Sequence, residues 1–419
     1  MTHKTTPPVS LDDRLVQNHS SGGARKIGGA IMHINQVSSL INATANEMWG
    51  KSAMTVKDAT DIVSLGNKVL ASDTDKDKFL GILVDRIKKT VFRTLDLDLD
   101  LPNLLMPAEA YFGVLQKVDI QPVPTAIDNS WNIGEIDYTP KIWDIAKPEV
   151  SQKLFNNINT FTIPITIPDV MYKSAFLDGT MDDFIARIFS TIESCLIMYV
   201  NGLTHLVLCA LVAEKVKRQK AINVYELFVT AFPSTTLAYT DFLTSPDMLK
   251  YAGMVIRNYV GYLADAGVLY NEDGKVRATQ RDNLHVILLR DFVSAYTTYY
   301  SADTFHQEMT SLPLYQEISA LQAPGNDPVR TFEDNSAFNI IPPSEADEDV
   351  PTAISGSGII AVLADRQALG VSLTEDWSGS DRNNRERYTN ITYGVNRGYM
   401  LDLGENAVVF YVGDYTPGN

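Results

Sequence analysis

The feature that most constrains this chain is one apolar periodicity that runs from residue 181 to residue 218. Ile185, Ile188, Phe189, Ile192, Leu196, Tyr199, Leu203, Leu206, Val207 and Ala210 recur at three- and four-residue spacing, which marks one face of a helix. Thr180 stands where an N-cap belongs, Asp182 and Asp183 fall in the first turn, and Lys215, Lys217 and Arg218 lie near the end. Both charge groups complement the helix dipole. Roughly 38 residues at ~1.5 Å each predict a spine of about 57 Å, with Gly202 the place for a kink.

The chain has 419 residues, 45% of them hydrophobic, enough for two or three lobes around that spine. Its formal charge of -16 is spread along the chain, which repels phosphate backbones and argues against a nucleic-acid reader. The N-terminus MTHKTTPPVSLDDR has no apolar core of the secretory kind, and no run of about eighteen uncharged apolar residues is expected to span a membrane. Cys195 and Cys209 are the two cysteines. Fourteen residues apart on one helix, they stand roughly 20 Å from each other and cannot bond, which suits a reducing cytoplasm.

Residues 1–30, with Pro7, Pro8, Ser20, Ser21 and four glycines, have the composition of an arm. Short amphipathic helices are predicted between Ile31 and Leu70. After the helical FLGILVDRIKKTVFRTL, the run from Leu95 to Leu101 alternates leucine with aspartate and predicts a half-buried strand, or a strand leading into a loop, with Val91 and Phe92 already leaving the helix. Between Tyr111 and Pro168, the alternating segments YFGVLQKVDIQPVP and TFTIPITIP flank a proline-rich stretch bearing Trp131, Ile136, Tyr138 and Trp143. They predict a long projecting hairpin whose aromatics need a neighbour to lie on. The alternative is an ordinary buried antiparallel sheet with a loop.

Beyond Tyr239 the pattern is mixed: a helix from Met248 to Asp265, a hairpin turn at Asn271 to Gly274, a strand over Leu284 to Leu289, and a helix from about Asp291. A surface loop is expected over 322–352, then an apolar strand from Ile359 to Ala364. The segments ITYGVNRGYMLDL and NAVVFYV, on either side of Gly404, predict a terminal antiparallel pair. The fold class is therefore α+β.

No catalytic constellation is legible. Asp96, Asp98 and Asp100 have calcium-loop spacing, but Leu101 replaces the turn glycine and Pro107 the closing glutamate. His205 and Cys209 share a helix face yet lack a second ligand pair for zinc. His3, His19 and His33 fall near the N-terminus, which leaves His205, His285 and His306 for catalysis. Nucleophile-elbow, phosphate-loop and dinucleotide glycine motifs are absent, and Glu345, Asp347, Glu348 and Asp349 read as a solvated loop. Neither a metal nor a cofactor is expected.

The order of elements, with LVDRIKKTVFRTL at 83–95 and ERYTNITYGVNRGYMLDLGENAVVFYVG at 386–413, resembles major capsid proteins of tailed bacteriophages with the Hong Kong 97 fold. The texture is nearest to those of small short-tailed phages. The resemblance covers most of the chain from about Lys78. It implies an N-terminal arm (1–77), a peripheral domain in three parts (78–110, 169–245 with the spine helix 181–218, and 389–419), an extended loop (111–168) and a mixed axial domain (246–388). It also implies hexamers and pentamers that form an icosahedral or prolate head around double-stranded DNA, assembled in the host bacterial cytoplasm. Scaffolding protein and portal are the further partners implied, with DNA touched only weakly and no membrane. Subunit contact is assigned to Trp131, Ile136, Tyr138 and Trp143, and no enzymatic role is expected. The alternatives are another virion protein of tail or portal, an encapsulin-like compartment shell, and, more distantly, an enzyme with dispersed catalytic residues.

Overall fold

The computed structural model describes residues 34–50, 55–94, 99–106, 115–120, 150–155, 157–301, 315–322, 334–345, 351–383 and 385–413. In chain order these form α1 (Ile34–Trp49), α2 (Ala59–Leu70), α3 (Asp73–Thr94), β1 (Leu105–Met106), β2 (Leu115–Ile120), β3 (Val150–Phe155), β4 (Ile158–Pro168), α4 (Asp169–Leu177) and α5 (Met181–Lys217). There follow β5 (Ile222–Asn223), α6 (Val224–Ala231), α7 (Pro246–Ala264), β6 (Leu284–Leu289), α8 (Arg290–Ser301), β7 (Gln316–Ile318), β8 (Phe338–Ile340), β9 (Ile354–Gly356), β10 (Ile359–Asp365), β11 (Leu369–Asn383), β12 (Tyr388–Leu401) and β13 (Ala407–Tyr411).

The spine exists as a single 37-residue helix, α5. Its N-terminal half, with Ile185, Ile188, Ile192 and Leu196, packs into a core built from α1 to α4 and the inward residues of β4 and β12. Its C-terminal half, with Leu203, Val207, Leu208, Leu211 and Val212, packs against one face of a five-stranded sheet ordered β5-β13-β10-β6-β7. A third core, made by α6, α7 and α8, covers the other face of that sheet. β10 is buried at every position because it lies between two covered faces.

The N-terminal end of α5 differs from the sequence expectation, whereas Lys215 and Lys217 do lie in its last turn. The Thr180 side chain makes no capping hydrogen bond, so the N-terminal stabilisation rests on Asp182 and Asp183 in the first turn. At the other end Gln219 turns to φ 55°, and the Lys220 amide bonds the Lys215 carbonyl at 2.9 Å, a left-handed closure that satisfies the last carbonyls. Contrary to expectation, α5 has an eighteen-residue window long and apolar enough to cross a membrane, of which 61% is buried by the surrounding cores.

A second sheet of four strands is ordered β1-β11-β12-β4. Along β4 the odd-numbered residues face α5 while Thr160, Thr162, Pro164 and Thr166 face out, the alternation of a half-buried strand. Three sequence expectations fail in this region. TFTIPITIP belongs to β4 and pairs with β12, so the return arm of the extended hairpin is β3, not β4. The terminal strands do not pair: β12 joins β11 and β4, whereas β13 crosses into the other sheet beside β10 and β5. Val91 and Phe92 stay inside α3. Of the run 95–101, residues 95–98 lie outside the described residues and 99–101 are loop, with Leu99 and Leu101 buried on either side of exposed Asp100; a one-turn 3-10 helix follows.

The predicted turn at Asn271 to Gly274 is present, with Gly274 at φ +64°, but one isolated bridge between Gly267 and Arg277 replaces flanking strands. The expected 322–352 loop contains β8, which pairs with β9. Its acidic residues Asp347, Glu348 and Asp349 lie outside the described residues, as do the arm over 1–33, Asp96 and Asp98. α1 and α2, within the segment assigned to the arm, pack against α3 and α5 through fully buried Ile41, Ile62 and Leu65.

Ile192 is fully buried between the α1–α4 helices and the sheet. Ile192→Asp is expected to destabilise by roughly 4 kcal/mol or more, because the carboxylate finds no partner there. Insoluble product, or loss of the cooperative melt by circular dichroism, is the expected outcome; a melting temperature near wild type would contradict this core.

Candidate subunit-contact site at the base of the extended loop

β2 and β3 form a two-stranded antiparallel ribbon, with Ile120 opposite Val150, Val118 opposite Gln152, and Gln116 opposite Leu154. Period-two alternation puts these residues on one face and Lys117, Asp119, Ser151 and Lys153 on the other. The first face is open: Val118 is 55% exposed, Ile120 and Val150 63%, and Leu154 59%. Among the described side chains none from either strand belongs to the three apolar cores, although half-buried Phe155 lines a small cavity with Met106, Tyr399 and Met400.

The second face is held by charge. Lys117 and Lys153 are direct ladder partners, a juxtaposition of like charges that is unfavourable by itself. Asp402 resolves it by accepting from Lys117 at 2.6 Å through one oxygen and from Lys153 at 2.7 Å through the other. Lys117 also donates to Glu405, and Lys153 to Asp273 at 2.6 Å. One register step along, Arg277 makes a two-pronged contact to Asp119, both bonds at 2.7 Å, and reaches Glu405 at 3.3 Å. Lys275 donates to Asp119 at 3.1 Å and to Ser151 at 2.8 Å.

Burial alone would raise the Asp402 and Asp119 carboxyls. Hydrogen bonds from Lys117 and Lys153 in the one case, and from Lys275 and Arg277 in the other, more than offset it and hold both below the usual carboxylate range. Burial likewise opposes the Lys153 charge, yet Asp273 and Asp402 raise its pKa. Gly404 lets the chain pass beneath this cluster: a side chain there would collide with the Asp273 carboxylate and the Lys153 ammonium. The Gly404 amide instead donates to Asp402 at 3.0 Å.

The neighbouring residue extends the network to the spine. Glu272 accepts from buried Lys215 and pairs with Lys220, both at 2.8 Å, and its amide bonds the Leu403 carbonyl at 2.9 Å. Burial pushes the Lys215 pKa down in spite of Glu272, while Lys215 and Lys220 keep the Glu272 carboxyl below its ordinary value against the opposing effect of burial. The segment 272–277 therefore ties the C-terminal end of α5, the β12–β13 connection and the ribbon together.

Elsewhere the described residues offer little for catalysis. His205 Nδ1 and Cys209 Sγ both approach the Leu321 carbonyl oxygen, at 3.0 and 3.2 Å, which occupies the pair that carried the zinc reading. No group of three or more metal-ligating side chains occurs among the described residues. A cleft of about 200 Å³ lined by Tyr239, Phe242, Leu289, Asp291, Phe292 and Asp334 among others contains no histidine, cysteine or lysine. His285 lies in β6, where burial, and then the Arg366 charge, lower its pKa to about 4 against the weaker pull of Asp365; its Nε2 has no partner.

Trp131, Ile136, Tyr138 and Trp143, the residues expected to touch a neighbour, lie outside the described residues. The ribbon base that carries them contains the functional side chains the sequence reading passed over. One signal was available: Lys117 and Asp119 interrupt the apolar alternation of LQKVDI on the same face, as Ser151 and Lys153 do in VSQKLF. Charges at inward positions of a strand require partners.

A family model described as Phi29-like phage major capsid protein matches residues 41–411. The chain belongs to this family. Among solved structures, the capsid of Staphylococcus phage Andhra is similar at 10% identity and TM-score 0.44, covering 76% of this chain and 85% of that one. The capsid of cyanophage P-SCSP1u is similar at 9% identity and TM-score 0.39, covering 74% and 86% respectively. No curated protein sequence matches. As a major capsid protein the chain has a structural role, assembles with copies of itself into capsid oligomers and resides in the virion shell.

Two outcomes follow for the capsid subunit. Gly404→Ala should separate Lys153 from Asp273 and destabilise by roughly 2 kcal/mol; an unchanged denaturation midpoint would show that the cluster tolerates the methyl group. His285, with its pKa lowered from 6.5 to about 4, takes up a proton in the unfolded chain first. Stability should therefore be intact above pH 6.5 and fall by on the order of 3 kcal/mol by pH 4. His285→Leu should flatten that part of a melting-temperature profile, and an identical slope in both proteins would remove His285 as the cause.

Proposed function

We propose that this capsid protein assembles as hexamers and pentamers into a closed icosahedral or prolate shell around double-stranded DNA, with its extended loop, whose two arms are β2 and β3, lying across a neighbouring subunit. The observation that carries this reading is the open apolar face of the β2–β3 ribbon. Four aliphatic side chains, each more than half exposed, sit side by side on a strand pair none of whose described side chains belongs to an apolar core. A soluble chain that displays such a face covers it on association, and for a shell subunit the partner is another copy. Trp131, Ile136, Tyr138 and Trp143, between the two strands in sequence, would extend the contact toward the loop tip with the residue types that dominate interface energetics.

The lobe built on the five-stranded sheet is the part we assign to the hexamer and pentamer centres, and the lobe with the four-stranded sheet to the periphery. A net charge of -16 suits a wall against which DNA must slide without sticking, so contact with the packaged genome is weak. Scaffolding protein and portal are the further partners, and the free Cys195 and Cys209 fit assembly in the reducing cytoplasm of the host bacterium.

Electron microscopy of the purified chain, alone and co-expressed with a scaffolding protein, tests this reading. Wild type should give closed shells or rings of five and six. Val118→Glu with Ile120→Glu, at exposed positions, should leave a folded subunit that forms neither. Normal particles from that variant would take the ribbon face out of the interface.

A further inference from the structure

The ribbon poses a mechanical problem. Among the described residues it shares no apolar core with the body, and a two-stranded ribbon is marginal on its own. Half-buried Phe155 meets Met106, Tyr399 and Met400 at one end of the ribbon, and the rest of its described attachment is mainly ionic: Lys117, Lys153, Lys275 and Arg277 face Asp119, Asp273, Asp402 and Glu405, four cations against four anions. These eight come from three places in the chain: the ribbon, the segment 273–277, and the connection by which the chain leaves β12 for β13. Asp119, Asp402 and Glu405 are buried.

We propose that these eight side chains form an ionic clamp that sets the direction of the extended loop in the single subunit, before it meets a neighbour. Each strand is gripped at the same ladder level, Lys117 on β2 and Lys153 on β3, by one carboxylate that takes an oxygen to each. Asp119 and Ser151, the next inward pair, are gripped from the other side by Lys275 and Arg277. Tilting the ribbon as a body would strip partners from both levels at once and leave buried carboxylates unpaired, which is costly enough to hold one orientation. Arginine's planar fork on Asp119 adds angular definition that a point charge lacks. Because Asp119, Asp402 and Glu405 are buried, bulk ions screen their ion pairs only weakly, so the clamp should hold over a wide range of salt.

The clamp is a property of one chain, while its consequence for assembly rests on the reading of the ribbon face as a subunit contact. A preset loop presents its apolar face without the ordering cost that a swinging loop meets on association.

The test is a spin-label distance between Gln152→Cys on the exposed ribbon face and Met254→Cys on the exposed side of α7, in the unassembled full-length chain with Cys195 and Cys209 replaced by alanine. Wild type should give one narrow distance distribution, unchanged between low and high salt. Two charge-balanced variants, Lys117→Met with Asp402→Asn and Asp119→Asn with Arg277→Met, should each broaden it and slow shell formation about tenfold. Circular dichroism identifies any variant whose body fails to fold, and the other then decides. A broad wild-type distribution, or a narrow one in a folded variant, overturns the clamp. If the variants loosen yet assemble at the wild-type rate, presentation of the loop to its neighbour is overturned. If they loosen while Val118→Glu with Ile120→Glu still builds shells, the clamp stands and the ribbon contact falls.

Discussion

A helix of 37 residues that is apolar along one face in its first half and on nearly every side in its second is stable in water only if something covers it along its whole length, and a single core cannot reach that far. Here the cover is divided. The helices α1 to α4 with the four-stranded sheet take the first half of α5, and the five-stranded sheet takes the second. Neither lobe can be removed without exposing half of the spine, at a cost of roughly 25 cal/mol for each Å² of apolar surface uncovered. The two-lobed body is a consequence of that helix.

Polar side chains do the joining that the apolar cores leave undone. At the far end of the first lobe, buried Lys76 pairs with Asp169 at 2.8 Å, and Arg382 reaches the same carboxylate from β11, so one acid anchors α3, α4 and the sheet. At the loop base, Asp402 does the same for the two ribbon strands. In both places a carboxylate is buried with more than one cation around it, the arrangement that offsets the cost of desolvation. The cores give the body its bulk, and these acids fix the angles between its parts.

Elements set mainly by their own side chains were legible before the structure. α5, α7, β6 and β10 declare themselves by period and length, because a helix or a fully buried strand is set mainly by its own side chains. Partnership was not legible. TFTIPITIP alternates as a strand beside YFGVLQKVDIQPVP, and nothing in either segment reveals that Ile165 faces Ile391 while Ile120 faces Val150. The β12–β13 pair failed for a related reason. Gly404 looks like a hairpin turn, but the five residues 402–406 carry two acids directed at distant lysines and a glycine that makes room for them. The same gap hid the contact site, since a lysine at an inward strand position says that a partner exists and not where it lies.

The crossing of the chain from β12 to β13 bears on synthesis. β4 waits for β12, whose residues come more than two hundred positions later, and β10 and β5 wait for β13. The acids at 402 and 405 that hold the ribbon lie between those two late strands. A chain emerging from the ribosome therefore carries its extended loop for most of translation without the groups that orient it, and both sheets close within the same short stretch of elongation.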